Sequence, residues 1–311
     1  MTLTVAVLMG GISAEREVSL TSGKACSEAL RTEGFDVHDI DVTKDVNKLI
    51  ADLTACKPAV VFNALHGRFG EDGCIQGLMN LLGLTYTHTG VLGSSLAMDK
   101  ERAKAMVATA GVRIPESKAV ELEQLARGDD PLPRPFVVKP MREGSSVGVH
   151  ILQDGDNRVL TKANFSNAEL ALMAERYIPG RELTVTVMND KALTVTELVP
   201  KEGFYNYEAK YSDGLTEHMV PAQIPQEVFD EALRFAEIAH KTLDCRHISR
   251  SDFRYDDTPD GDGKLYYLET NTQPGMTPLS LVPEQAEYQG MPFPKLCRWL
   301  IEQALVAREV S

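Results

Sequence analysis

The N-terminal part of the chain, to about residue 65, alternates between short apolar runs and amphipathic segments. Apolar runs at Leu3–Met9 and Pro58–Ala64, and an alternating segment at Phe35–Asp41, are typical of strands in a parallel sheet. The segments between them predict helices over Ser19–Glu33 and Lys48–Ala55. This strand–helix–strand order indicates a doubly wound α/β unit, in which ligands bind at the carboxyl ends of the strands.

Hairpins and longer helices are predicted in the rest of the chain. A strand at Phe136–Lys139 runs into the glycine-rich turn EGSSVGV, at 143–149. Two strands, Arg181–Met188 and Ala192–Val199, pair through a turn at Asn189 and Asp190. The remaining predicted elements are strands at Phe253–Tyr255 and Lys264–Glu269 and helices at Lys100–Thr109, Gln226–Leu243 and Phe293–Val306. The sequence contains no internal repeat.

Composition and charge narrow the class of protein. A chain of 311 residues with 43% hydrophobic and 25% charged residues can form two or three packed subdomains. Its net charge of −13 argues against a general binder of nucleic acid or anionic membranes, which would need a basic surface. The five cysteines are widely spread without a CxxC pair, and the first residues lack the pattern of a secretory signal. We therefore expect a cytoplasmic protein with reduced thiols.

One candidate site surrounds Lys139. The sequence has neither a GxxxxGK[ST] loop nor a GxGxxG motif, which argues against a P-loop NTPase and a nicotinamide oxidoreductase. Lys139 instead stands four residues before the glycine-rich turn. A lysine beside exposed backbone N–H groups is able to hold phosphate oxygens. The alternative interpretation is that Lys139 simply ends a strand.

A second candidate site lies near the C-terminus. Asp252 sits on the strand candidate SDFRY (251–255), Glu269 ends the next strand, and Asn271 stands two residues further on. Across a hairpin these three side chains could converge on one face. Two carboxylates and an amide oxygen suit Mg²⁺ that also contacts polyphosphate, whereas a solvated acidic edge is the alternative. Arg250 shares the face of Asp252 and could clamp a phosphoryl group or stabilise an oxyanion. The alternative interpretation of Arg250 is a surface arginine that pairs with a carboxylate.

Seven motifs in order resemble the ATP-grasp superfamily, and specifically the D-alanine–D-alanine ligase family, over nearly the whole chain. These motifs are GGISAEREVSL (10–20), HGRFGEDGCIQG (66–77), MDKERAK (98–104), VVKPMREGSSVGV (137–149), YNYEAKY (205–211), SRSDFRYDD (249–257) and LETNTQPGMTPLSLVP (268–283). The resemblance implies an α/β fold: an N-terminal doubly wound, Rossmann-like pre-ATP-grasp subdomain at 1–97, followed by a two-lobed α+β ATP-grasp fold. Its small lobe would span 98–182 and its C-terminal lobe 183–311.

The resemblance also implies a role for each matching residue. In the reaction centre it implies Glu15, Ser145 and Tyr211 around the first D-alanine, with Arg250 and the Gly275 N–H stabilising the tetrahedral intermediate. For the amino-acid pockets it implies His66, Ser280 and Leu281. For ATP it implies Lys100, Lys139, Ser146, Val147, Glu175, Ile178, Glu182 and Lys210. For two Mg²⁺ or Mn²⁺ ions it implies Asp252, Glu269 and Asn271. Two alternatives remain: His66 would only order its loop, and Glu15 would only favour the first turn of a helix.

The implied activity is ATP-dependent ligation of two D-alanines through D-alanyl phosphate, for peptidoglycan precursors, by a cytoplasmic homodimer. We expect 205–215 to form a lid that excludes water from the acyl phosphate. Tyr211 favours D-alanine as the second substrate. The alternatives are a ligase that uses D-serine or D-lactate second, and a catalytically silent ATP-grasp protein. A silent protein would be expected to lack one of Asp252, Glu269 or Asn271, and all three are present.

Overall fold

The computed structural model describes residues 2–144, 148–165, 171–200 and 216–309. Its N-terminal part is a three-stranded parallel sheet in the order β2-β1-β3, formed by β1 (Thr4–Gly10), β2 (Asp36–Val42) and β3 (Val60–Asn63). The connecting helices are α1 (Arg16–Thr32) and α2 (Val46–Cys56). This is the doubly wound unit that the hydrophobic pattern predicts. Val5 to Leu8 of the central strand are fully buried, because helices cover both faces of the sheet.

Four helices and one four-stranded antiparallel sheet follow among the residues that the structure describes. The helices are α3 (Cys74–Leu81), α4 (Val91–Met98), α5 (Lys100–Thr109) and α6 (Leu122–Ala126). The strands lie in the order β4-β7-β5-β6 and comprise β4 (Ser117–Val120), β5 (Phe136–Pro140), β6 (His150–Leu152) and β7 (Leu172–Arg176). Asp99 caps α5 because its carboxylate accepts a hydrogen bond from the Arg102 N–H.

A five-stranded antiparallel sheet forms the C-terminal part. Its order is β10-β9-β8-β11-β12, and its strands are β8 (Arg181–Met188), β9 (Lys191–Pro200), β10 (Thr216–Met219), β11 (Ile248–Tyr255) and β12 (Leu265–Asn271). The helices of this part are α7 (Gln226–Thr242), α8 (Leu281–Tyr288) and α9 (Phe293–Glu309). None of the helices within the described ranges is long and apolar enough to cross a membrane.

Packing joins the C-terminal helices to the N-terminal sheet. One hydrophobic core contains Val7 and Phe62 of the parallel sheet together with Leu296 and Leu300 of α9. A second core packs Phe235 of α7 against the five-stranded sheet. A helix distant in sequence thus packs against the parallel sheet, and a cleft lies between the two antiparallel sheets.

Most predicted elements agree with the structure, although the predicted strand Phe253–Tyr255 covers only the last three residues of β11. The helix Lys100–Thr109 and the strand Arg181–Met188 have the predicted bounds. Helix α1 begins at Arg16, three residues earlier than predicted. The guanidinium of Arg16 forms hydrogen bonds of 2.8 and 2.7 Å with Asp41, a tertiary contact that no local pattern could reveal. Three residues of the glycine-rich turn, 145–147, lie outside the described residues.

Candidate active site

A cleft of about 790 Å³, a volume that includes the space open to solvent, lies between the two antiparallel sheets. One wall comes from β5 and β7, and the other comes from β8, β11 and β12. Seven of the predicted site residues line it: Lys100, Lys139, Glu175, Ile178, Glu182, Asp252 and Glu269. Residues from distant parts of the sequence thus converge on one cavity, as expected for a ligand site.

The wall formed by β5 and β7 contains a buried cluster of charges. Lys139 on β5 forms a 2.9 Å ion pair with one carboxylate oxygen of Glu175 on β7. The ammonium of Lys104, on α5, pairs with the other carboxylate oxygen of Glu175. Burial opposes the ionisation of Glu175, but the two lysines outweigh it and hold the pKa of this carboxyl below its usual value. The cluster therefore presents fixed charges to the cleft.

Lys100 connects the two walls of the cleft. Its ammonium forms a 2.9 Å ion pair with Glu269 of β12 and donates a 2.8 Å hydrogen bond to the carbonyl of Glu143, the first residue of the glycine-rich turn. Burial tends to lower the pKa of Lys100, but Glu269, with smaller contributions from Glu71 and Glu15, raises it above the usual value. Lys100 is consequently a permanent cation at the centre of the cleft.

The opposite wall holds the predicted metal ligands. Across β11 and β12, Asp252 lies directly opposite Glu269, and Arg250 lies opposite Asn271. Asp252 accepts hydrogen bonds from Thr184 over 2.6 Å and from the Asn271 amide over 3.0 Å. Arg250 donates two further bonds of 2.9 Å to the same carboxylate.

This donor set fits a hard divalent cation. Like charges directly opposite each other on neighbouring strands destabilise a sheet unless a cation lies between or beside them. Here Arg250 and Lys100 provide that compensation to Asp252 and Glu269. Carboxylates and an amide oxygen, already grouped beside lysines that could hold phosphate, are the ligands that Mg²⁺ prefers. No cluster of three His, Cys, Asp or Glu side chains suited to a metal occurs in the described ranges, so Asn271 and ligand oxygens would have to complete the set.

Arg254 organises the end of the cleft that contains Ile178 and Glu182. Its guanidinium donates to the Ile178 carbonyl over 3.0 Å and to the Gly180 carbonyl over 2.8 Å, and it pairs with Glu182 at 3.4 Å. The guanidinium also lies over the Tyr177 ring, 5.9 Å from its centroid. One arginine therefore fixes both the backbone and the acidic side chain expected around the base and ribose.

Glu15 immediately precedes α1, in the turn that follows β1, and lies next to the glycine-bearing loop that follows β3. Its side chain is buried, and its carboxylate packs so closely against Gly67 and Gly144 that a Cβ at either would lie 2.7 or 2.9 Å from Oε2. Gly67 also has a φ of 67°, which favours glycine. Glu71 accepts a 3.0 Å hydrogen bond from the Gly67 N–H. Burial and the nearby charge of Glu15 raise the pKa of Glu71 to about 8.

His66 contacts protein through both ring nitrogens. Nδ1 lies 3.1 Å from the Gln273 carbonyl and Nε2 lies 3.4 Å from the Ser22 hydroxyl. Burial lowers the pKa of His66, although the charge of Glu15 partly offsets this effect. A neutral ring with both nitrogens in contact with protein groups agrees with the alternative that His66 only orders its loop.

Ser280 and Leu281 stand at the start of α8. The Ser280 hydroxyl accepts a 3.1 Å bond from the Thr277 N–H and lies 2.8 Å from the Thr277 hydroxyl. Gly275 faces this hydroxyl, since a Cβ there would lie 3.1 Å from it. Buried Gln285 ties α8 to the five-stranded sheet through Thr184, Thr186 and Thr196.

Comparison with known proteins decides the family. The family model described as D-ala D-ala ligase C-terminus matches residues 105–302. The chain is 53% identical over 305 residues to a D-alanine–D-alanine ligase of Paramagnetospirillum magneticum, covering 98% of this chain and 99% of the relative. The chain belongs to the D-alanine–D-alanine ligase family. A second D-alanine–D-alanine ligase, of Granulibacter bethesdensis, is 54% identical over 300 residues, covering 96% of this chain and 97% of that protein.

Solved ligases of the family share the fold. The D-alanine–D-alanine ligase of Bacillus anthracis complexed with ATP superposes with a TM-score of 0.83 at 30% identity, covering 100% of this chain and 99% of that one. Another structure of the ligase from Bacillus anthracis gives a TM-score of 0.82 at 28% identity. The expected family and the α/β fold class with its ATP-grasp architecture are confirmed.

Several charged residues of this ligase cleft are not among the predicted site residues. Lys104, Arg254, Glu143 and Glu71 contact the predicted site residues or lie among them. The sequence offers one signal that Lys104 belongs to the site: it stands four residues, about one helical turn, after Lys100, and residues four apart share a helix face. Five predicted site residues lie outside the described residues, together with the expected lid at 205–215: Ser145, Ser146, Val147, Lys210 and Tyr211.

Proposed function

We propose that this chain joins two D-alanines into D-alanyl-D-alanine, converting ATP to ADP and phosphate through D-alanyl phosphate. One observation carries the proposal: Lys100, Lys139, Asp252 and Glu269 meet in a single cleft between two antiparallel sheets. A carboxylate is a poor acyl donor, and transfer of a phosphoryl group to it supplies a leaving group. Such transfer depends on positioning and charge neutralisation, which clustered lysines and metal-binding carboxylates provide.

ATP would lie along the cleft, with its base, ribose and phosphates contacting different residues. Glu175 and the Ile178 backbone would take the adenine edge, and Glu182 the ribose. Lys100 and Lys139 would hold phosphate oxygens, with Ser146, Val147 and Lys210 added from the family resemblance. The 2.9 Å ion pairs of Lys100 with Glu269 and Lys139 with Glu175 support this, because these cations are buried close to where polyphosphate would lie.

For the metal, Asp252, Glu269 and Asn271 would hold two Mg²⁺ or Mn²⁺ ions. Bound there, divalent ions would neutralise charge on the phosphate oxygens. The support for this assignment is the pairing of Asp252 opposite Glu269 and the 3.0 Å bond between Asn271 and Asp252.

For the amino acids, Glu15 would bind the ammonium of the first D-alanine, with His66, Ser145 and Tyr211 near it. The Ser280 hydroxyl and the backbone at Leu281 would take the carboxylate of the second D-alanine. Its amine, once deprotonated, attacks the acyl carbon, and phosphate leaves. Arg250 and the Gly275 N–H would stabilise the oxyanion formed in that attack.

The proposed subdomains span residues 1–97, 98–182 and 183–311. The protein would act as a homodimer in the cytoplasm, where its product would supply peptidoglycan precursors. Residues 205–215 would close over the cleft. Limited proteolysis tests that closure: ATP, Mg²⁺ and D-alanine should slow cleavage within this segment, and equal cleavage with and without them would contradict it.

Phosphate release tests the activity. The protein is incubated with ATP and Mg²⁺ plus D-alanine, L-alanine, D-serine, or D-alanine with D-lactate, and products are identified by mass. D-alanine-dependent release with D-alanyl-D-alanine as product supports the proposal. D-alanyl-D-lactate or D-alanyl-D-serine as the preferred product would reassign the second substrate. Folded protein that binds ATP but releases no phosphate would contradict the activity and favour a silent binder.

A further inference from the structure

Lys104 is a buried cation behind the wall of the cleft. Its side chain is only 1% exposed, and it is absent from the cavity lining, which Lys139 and Glu175 do reach. Its ammonium pairs with Glu175 and donates a 3.3 Å hydrogen bond to the Tyr267 carbonyl of β12. These two contacts come from different sheets, so Lys104 holds Glu175 against the edge of the five-stranded sheet.

The charges of this cluster do not balance. Lys104 and Lys139 share the single carboxylate of Glu175, one lysine on each oxygen. Within this trio two cations face one anion in a buried place, where an unbalanced charge is costly. Glu269 also acts on Lys104, but it already pairs with Lys100. An anion that entered the cleft could complete the balance. Lys139 is the lysine placed to meet it, because Lys139 lines the cleft and Lys104 does not.

The ionisation of the cluster agrees with this arrangement. Burial and the neighbouring Lys139 lower the pKa of Lys104 to about 8, while Glu175 opposes that fall. Of the two lysines, Lys104 has the larger effect on the pKa of Glu175. Both lysines favour the charged form of Glu175, and one of them, Lys104, lies where the cleft does not reach.

We propose that Lys104 is a positioning residue for the nucleotide: it keeps Glu175 charged and correctly oriented while Lys139 turns from Glu175 to a phosphate oxygen. The inference rests on the proposed function, since it takes ATP as the ligand. Without Lys104, the same movement of Lys139 would leave Glu175 buried without a counter-charge, which is strongly unfavourable. With Lys104 in place, Lys139 can exchange partners and Glu175 can still accept from the exocyclic amine of the base.

The first test is the variant Lys104→Met, which keeps an unbranched side chain only one heavy atom shorter than lysine and removes its charge. We expect the KM for ATP to rise about tenfold or more, with a smaller change in kcat and an unchanged KM for D-alanine. Preference for ATP over inosine triphosphate should also shrink, because inosine lacks the amine that Glu175 would recognise. Lys48→Met is the matched control, since Lys48 pairs with Asp52 on the exposed surface of α2 and should change neither parameter.

A double-mutant cycle isolates the pair, with ADP–Mg²⁺ binding measured by calorimetry on wild type, Lys104→Met, Glu175→Gln and the double variant. Because a glutamine in place of Glu175 carries no charge to compensate, loss of Lys104 should weaken binding strongly in the presence of Glu175 and hardly at all in the Glu175→Gln background. Should Lys104→Met fail to fold, the double variant still keeps the inference falsifiable, because weaker ADP binding by the double variant than by Glu175→Gln would overturn it.

The outcomes are distinct. Equal ADP affinity of wild type and folded Lys104→Met would overturn the inference, and so would a double variant that binds ADP much more weakly than Glu175→Gln alone. Wild-type protein that binds neither ADP nor ATP would contradict the proposed function itself, before any variant is compared.

Discussion

Arg250 and Asp252, two residues apart on β11, form a two-point ion pair in which both carboxylate oxygens accept hydrogen bonds of 2.9 Å. The side chains of both residues are largely shielded from water, with exposures of 15% and 11%. Asp252 also lies directly opposite Glu269 on the neighbouring strand. The guanidinium therefore stabilises a local concentration of negative charge at the place proposed for the metal.

The variant Arg250→Met should be both less stable and much less active. In metal-free buffer we expect a loss of roughly 1–3 kcal/mol in the free energy of unfolding, because a shielded carboxylate loses its charged partner. We expect kcat to fall about 10²–10³-fold, the usual effect of removing one donor to a developing oxyanion. Urea titration and phosphate release measure the two effects. Arg31→Met, which removes an exposed pair with Asp39, should cost no more than about 1 kcal/mol. Equal stability of Arg250→Met and wild type would refute the stabilising role.

The variant Gly144→Ala should weaken the binding of D-alanine without unfolding the protein. The added Cβ would lie 2.9 Å from Oε2 of Glu15, so the carboxylate must move. Loss of a charged hydrogen bond typically costs about 1.5–3 kcal/mol, and we therefore expect the KM for the first D-alanine to rise roughly tenfold or more. Gly77→Ala is the control, because a Cβ at this position in α3 meets nothing within 4 Å. An unchanged KM for D-alanine in Gly144→Ala would count against Glu15 as the ammonium site.

The variant Gln285→Leu should destabilise the C-terminal part of the chain. Gln285 is fully buried and makes three hydrogen bonds of 2.9–3.1 Å to β8 and β9. Their loss would leave buried polar groups without hydrogen-bond partners. We expect the free energy of unfolding, measured by urea titration, to decrease by roughly 2–4 kcal/mol. Gln289→Leu removes a single bond at an exposed position and should cost about 1 kcal/mol or less. A small effect at Gln285 would show that α8 is held by its apolar contacts alone.

Stability should fall as the pH drops below about 6.5. Burial lowers the pKa of His240 and His247 to about 4 and that of His88 to about 3. Between these values and the usual 6.5, the unfolded chain binds protons that the native chain does not, so acid favours unfolding. Glu71, whose pKa is raised to about 8, acts in the opposite direction, but it is one group against three histidines. Each histidine contributes at most roughly 1.4 kcal/mol per pH unit across this window. In urea titrations from pH 7.5 to 4.5, His240→Gln should lose less stability than wild type. Parallel curves for the two proteins would contradict the assignment to His240.

Local patterns were enough to predict most of the secondary structure. The helix Lys100–Thr109 follows from its alanine and charged residues, and the hairpin of β8 and β9 from its alternating strands and the turn at Asn189 and Asp190, both of which adopt positive φ. The early start of α1 was not predictable, because it coincides with the long-range pairing of Arg16 and Asp41.

The residues of the candidate site were partly predictable, because some of them lie on one local hairpin. The side chains of Asp252, Glu269 and Asn271 could be grouped because the hairpin places them in register. The roles of Lys104 and Arg254 depend on how α5 and β11 pack against residues far away in sequence, namely Glu175 and Ile178. Only the folded chain brings these partners together, and spacing along the sequence does not encode the contact.

Isotope transfer tests the proposed chemistry most directly. The protein is given ATP, Mg²⁺ and D-alanine labelled with ¹⁸O in its carboxylate, and the released phosphate is examined by mass spectrometry. Attack of the carboxylate on the γ-phosphoryl group, followed by attack of the second amine on the acyl carbon, predicts one ¹⁸O in phosphate for each D-alanyl-D-alanine formed. Unlabelled phosphate alongside dipeptide would contradict the D-alanyl phosphate route.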